Sequence, residues 1–180
     1  MKPDFVKTLT EYDWKSAIPK VRALHAARGY QAMGVREEGG ENEGPWIKKF
    51  LRGVGIMKPA PWCAAFVYDC LMVSGADPAK LPGKGAAASV YQWRNWAKKT
   101  GRLGQVPARY KLGYWLDGGK GHIFFVAEVT GAGVRTIEGN TNAKGSREGD
   151  AVAEKFRTFS ELKTHGQYGF ISLDGIGDGR

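Results

Sequence analysis

Apolar positions along the chain change period partway through, helical at first and strand-like later. From Ser16 to Arg28, Ile18, Val21, Leu24 and Ala26 fall near helical spacing, with Ser16 placed as an N-cap, Pro19 tolerated in a first turn and Gly29 as the stop. Residues 34–44 are rich in Gly and Glu without apolar period and predict an exposed loop. Pro45 to Gly53 predicts a short helix with Trp46, Ile47, Phe50 and Leu51 on one side. Trp62 to Val73 is apolar almost all round, the pattern of a helix buried mid-domain, and Ser89 to Lys99 predicts another with Val90, Trp93, Trp96 and Ala97 inward.

Beyond residue 120 the texture becomes β-like. HIFFVAEV (122–129) and VRTIE (134–138) flank Thr130-Gly131-Ala132-Gly133, a hairpin signal, and Lys155 to Thr158 and Gly169 to Leu173 read as two further short strands. Helices first and strands second predict an α+β domain with an antiparallel sheet, and residues 174–180 are expected to fray.

At 180 residues the chain is sized for one domain, and 42% hydrophobic with 25% charged residues argues against disordered, collagenous and coiled-coil classes. No apolar stretch approaches the roughly 20 residues of a membrane span, and Met1-Lys2-Pro3-Asp4 lacks a signal-peptide core, so synthesis in the cytoplasm without a leader is expected. Cys63 and Cys70, two turns apart on one predicted helix, are too distant for a mutual disulfide and are expected as free thiols. His25, His122 and His165 are scattered, without zinc-like spacing. The net charge of +9 has its excess in residues 1–120 and suits a polyanion. Its densest cluster, Lys98, Lys99, Arg102, Arg109 and Lys111, reads equally as a solvated face.

Cys63 opens the buried helix, where free N–H groups and the helix dipole favour a thiolate; Cys70, further along, reads as core. A cysteine hydrolase also needs an imidazole to move the proton and a third group to orient that imidazole. His122 opens the first hairpin strand, while Glu138 and Asn140 lie on and just past the second, two residues apart. For all three to share a face, paired residue numbers must sum to an even value, as 122 with 140 and 124 with 138. That requires an odd-length loop or a bulge elsewhere in the pair.

The strings PWCAAFV (61–67), GHIFFV (121–126) and IEGNTN (137–142) together resemble the CHAP family of cysteine- and histidine-dependent amidohydrolases/peptidases, a papain-like class. The likeness runs from about Gly34 to Leu173 and is nearest to compact phage endolysins and wall hydrolases; residues 1–33 would be a helical extension packed on that domain and 174–180 a tail. The resemblance implies a papain-like fold, N-terminal helices on a small antiparallel sheet, with Cys63 as nucleophile, His122 as base and acid, Glu138 orienting the imidazole and Asn140 as a further polar member. Trp62 either walls a substrate groove or packs. Many members place a Gly-Asp pair before the strand preceding the histidine, and Lys111 to Asp117 lacks it. Some bind calcium through an Asp-rich loop; Glu37, Glu38, Glu41 and Glu43 lack that spacing, so no metal and no cofactor are expected.

The implied function is hydrolysis of a peptidoglycan amide bond, by a monomer that approaches the anionic envelope through its basic charge. A non-catalytic envelope or virion-structural module is the alternative. Nucleic-acid binding, with Trp93, Trp96 and Trp115 as a stacking platform, is disfavoured because Trp93 and Trp96 fit a helix interior.

Overall fold

The computed structural model of the chain describes residues 18–141 and 149–177. Among the described residues four α-helices precede the six-stranded sheet: α1 (Pro19–Ala32), α2 (Pro45–Gly53), α3 (Cys63–Val73) and α4 (Val90–Lys99). α2 and α3 follow the sequence reading closely. α1 starts later and runs further than expected: Pro19 takes the first position after an extended Ile18, and Gly29 is buried inside the helix instead of ending it. Reversal comes at Gly34, with φ of 66°. Ser16 lies outside the described residues.

The sheet comprises β1 (Leu103–Gly104), β2 (Leu112–Asp117), β3 (Lys120–Val129), β4 (Gly133–Thr141), β5 (Ala151–Thr158) and β6 (Gln167–Ile171), with a short helix α5 (Phe159–Lys163) between the last two. Every pairing is antiparallel, in the order β1-β6-β2-β3-β4-β5. The segment lacking the Gly-Asp pair is thus an inner strand, β2, held between β6 and β3 with Trp115 opposite His122. This is an α+β, papain-like arrangement.

The β3–β4 hairpin settles the parity question. Val129 pairs with Val134 across a four-residue connection, which alone gives an odd sum, but a bulge at Ala127 resets the register so that Phe125 faces Ile137. Odd-numbered Ile123, Phe125 and Ile137 join the core formed with the helices, where the Phe66 ring of α3 meets Phe125 at 6.3 Å. On the other face Trp115, Phe124, Val126, Val134 and Phe170 pack with Leu162 of α5. His122 stands on this second side of β3, its ring 6.2 Å from Phe124.

The expectation of a frayed end is corrected for residues 174–177. Ile176 is buried, its carbonyl accepts from the Asp77 amide at 2.8 Å, Gly177 bridges Ala76, and Asp174 is paired with Lys20. Apolar burial and backbone pairing hold this stretch down.

Candidate active site

Cys63 owes its place to the start of α3. Pro59 and Pro61 cannot continue a helix backwards, and no side chain caps the first turn, so its leading N–H groups remain available. The helix is fixed from all sides, with Cys63 through Leu71 buried. Cys63 itself is 5% exposed, whereas Cys70 has no exposure and packs in the core.

His122 is buried, and its Nε2 lies 2.8 Å from Oε2 of Glu138. Nδ1 makes no hydrogen bond, and interaction with Cys63 is among the influences that raise the ring's proton affinity. With Nε2 occupied by the carboxylate, Nδ1 is the nitrogen left to serve the sulfur. Trp115 covers the ring on one side, 6.0 Å between centroids, and is itself stacked on His165 at 4.1 Å.

Glu138 is fully buried and fully partnered. Arg157 donates to it twice, from Nε to Oε1 at 2.8 Å and from a terminal nitrogen to Oε2 at 2.7 Å, and the Thr136 hydroxyl donates to Oε1 at 2.6 Å. Arg157 is held in turn by Glu161 at 2.7 Å. Burial alone would favour the neutral acid, but the Arg157 hydrogen bonds and the His122 charge hold this carboxyl far below the usual carboxylate range. Burial likewise pushes the His122 pKa down, and hydrogen bonds with Cys63 and Glu138 together with their charges outweigh it, raising the value to about 9. The pair therefore favours an imidazolium beside an ionised carboxylate.

Arg157 and Thr136 are absent from the sequence reading. Thr136 sits two residues before Glu138, so strand alternation could have found it. Arg157 carried a misleading pattern: in β5 the arginine is buried and its neighbour Phe156 is 44% exposed, inverse to what polarity suggests.

Asn140 departs from the simple alternation. The β4–β5 register breaks between Glu138 and Thr141, and Asn140 adopts a left-handed backbone with φ of 56°. It is not bonded to His122; it lines a cleft with Pro61, Glu37 and Asp150. Trp62 has no exposed surface: its ring packs near Phe50 and Phe66, and its indole N–H donates to Glu37 at 2.9 Å. Of its two open roles, packing is the one seen here. Trp93, equally buried, donates to the Ala87 carbonyl, so it offers no face to a stacked base.

A thiol at a helix start, an imidazole beside it and a carboxylate behind the imidazole define the class of papain-like cysteine hydrolase sites. The family model of the CHAP domain matches residues 56–140, the stretch containing Cys63, His122, Glu138 and Asn140. This domain implies, in general terms, amidase or peptidase hydrolysis of peptidoglycan. No curated protein and no solved structure matches the chain. Among the described residues, no helix is long and apolar enough to cross a membrane.

Proposed function

We propose that the protein cleaves an amide bond of bacterial peptidoglycan by acyl transfer to Cys63. His122 takes the thiol proton at Nδ1, and the sulfur attacks the carbonyl carbon. The resulting oxyanion is met by the Cys63 backbone N–H at the uncapped helix start. Collapse expels the amine, which receives the proton from His122, and leaves a thioester. Water, deprotonated by the same imidazole, attacks the thioester and releases the acid and the thiol. Glu138 holds the ring by Nε2 and balances its charge throughout. The observation carrying this reading is the buried His122–Glu138 pair, whose free nitrogen is left beside the Cys63 thiol.

The bond is either the N-acetylmuramoyl-L-alanine link or an amide within the stem or cross-bridge peptides, and the setting we propose is a phage endolysin. The net charge of +9 supports approach to an anionic envelope. Digestion of labelled peptidoglycan by wild type, Cys63→Ala and His122→Ala tests the chemistry: wild type should release soluble peptide and both variants should not. Equal release by all three would make the chain a non-catalytic envelope or virion module. Mass spectrometry of the wild-type products names the bond from the newly exposed amine or sugar acid.

A further inference from the structure

The cleft beside the proposed nucleophile carries the wrong charge for a protein this basic. It measures about 310 Å³, and its lining includes Glu37, Glu41 and Asp150 together with Asn140 and with Pro61, which lies two positions before Cys63. Among the described residues none of these three carboxylates is ion-paired, whereas neighbouring Glu43 is held by Lys48 at 3.2 Å. Glu37 spends one oxygen on the Trp62 indole, which fixes the carboxylate in place.

A second observation is independent of the acidic side chains. Asn140 is 4% exposed, lines the same cleft and has no hydrogen-bond partner among the described residues. A carboxamide in the wall of a cleft, held by no protein partner, leaves its donor and acceptor capacity to whatever occupies that cleft. Its backbone adopts the sparsely populated left-handed conformation, in a stretch where strand pairing has already broken.

We propose that this cleft is a substrate subsite for a primary ammonium group, carried by the peptide within a few residues of the amide cut at Cys63. An ammonium brings three N–H donors and one positive charge, and the cleft offers carboxylate oxygens and the Asn140 carbonyl oxygen as acceptors. A carboxylate-bearing segment in the same place would meet like charge. The inference rests on the hydrolase reading for its substrate, a wall peptide with an unsubstituted amine, either a diamino-acid side chain or a free amino terminus.

The test compares peptidoglycan fragments with free amines against the same fragments N-acetylated, in the presence of EDTA. Acetylation makes the fragments more anionic, so nonspecific attraction to a +9 protein would favour the acetylated set and the subsite favours the free amines. Binding by Cys63→Ala should be about fivefold or more tighter to the free amines, and wild type should show the same preference, mainly through KM. The double variant Glu41→Gln/Asp150→Asn, at two exposed positions, should lose most of it; Glu37 is kept because Trp62 hangs on it. Synthetic peptides acetylated only on the side chain or only at the amino terminus assign the amine. Equal binding of both fragment sets, or a preference unchanged in the double variant, overturns the proposal. A preference seen only without EDTA also overturns it, by assigning the carboxylates to a metal cation. If wild type cuts nothing while Cys63→Ala still selects amines, the subsite stands and the hydrolase reading falls.

Discussion

Arg157 and Glu138 face each other through paired N–H to carboxylate contacts of 2.8 and 2.7 Å, both out of water, and the same carboxylate holds Nε2 of His122. The guanidinium is fixed on its far side by Glu161 and lies over the Phe124 ring at 5.9 Å. Charge thus alternates in sign from Arg157 to Glu138 to His122, and each buried ion is compensated by the next. Removing one link leaves an uncompensated charge in the interior.

Arg157→Leu should therefore cost about 3–5 kcal/mol of stability, the range for breaking a buried ion pair from one side. Arg157→Leu combined with Glu138→Leu should recover part of that loss while remaining inactive, because no carboxylate is left to hold the imidazole. Urea unfolding of both variants decides it. A double variant no more stable than the single one would mean that the guanidinium acts through packing alone.

Both members of the His122–Glu138 pair tie stability to pH, with opposite signs. The folded His122 value, about 9, lies above its ordinary 6.5, so its contribution is fully present below about pH 6.5 and is lost as pH rises through about 9. The folded Glu138 value is depressed, so its contribution is present above the ordinary carboxylate range and is lost as pH falls below it. Urea midpoints should form a plateau in mildly acidic solution and decline on both sides. In Cys63→Ser the alkaline decline should begin at lower pH, since hydrogen bonding and charge from Cys63 help raise the His122 value. An unmoved alkaline limb would separate the thiol from the imidazole.

The buried helix and its opening cysteine were legible because an all-round apolar run preceded by prolines has few other solutions. The hairpin was legible as a parity condition, and the bulge at Ala127 meets it, although no residue in HIFFVAEV announces a bulge. β2 escaped because LGYWLD, buried on both sides of an inner strand, shows no alternation. Arg157 escaped because the pattern sends Phe inward and Arg outward, and in β5 the partnership with Glu138 reverses that preference. Asn140 was placed by simple alternation, which ends where β4 parts from β5.

Alkylation should discriminate sharply between the two thiols. Burial raises the Cys70 pKa well above its ordinary value, and the side chain has no exposed surface. Cys63 retains slight exposure at the start of α3 beside His122. Iodoacetamide on the native protein should label Cys63 first, read by peptide mass spectrometry, and Cys63→Ser should abolish the fast phase. Labelling of Cys70 at an equal or greater rate would count against an activated Cys63.

Gly139, between Glu138 and Asn140, lets the sheet and α3 approach closely. A Cβ there would come within 2.6 Å of the Phe66 ring and 2.7 Å of the Trp62 ring, the first a residue of α3 and the second its N-cap, at the end of the helix that carries Cys63. Gly139→Ala must push α3 away from β4 or force those rings off their rotamers, an overpacking cost of about 1–3 kcal/mol. Because Cys63 stands on one side of that contact and His122 with Glu138 on the other, the displacement should weaken the coupling between thiol and imidazole. On labelled peptidoglycan, Gly139→Ala should lose at least tenfold in rate, since shifts near 1 Å in a catalytic pair cost about a hundredfold. Circular dichroism should still report a folded protein at room temperature. Phe66→Leu in the same chain would relieve one of the two clashes, and partial recovery of rate would trace the defect to the helix–sheet spacing. A fully active Gly139→Ala would show that the spacing tolerates a methyl group and that the site does not depend on it.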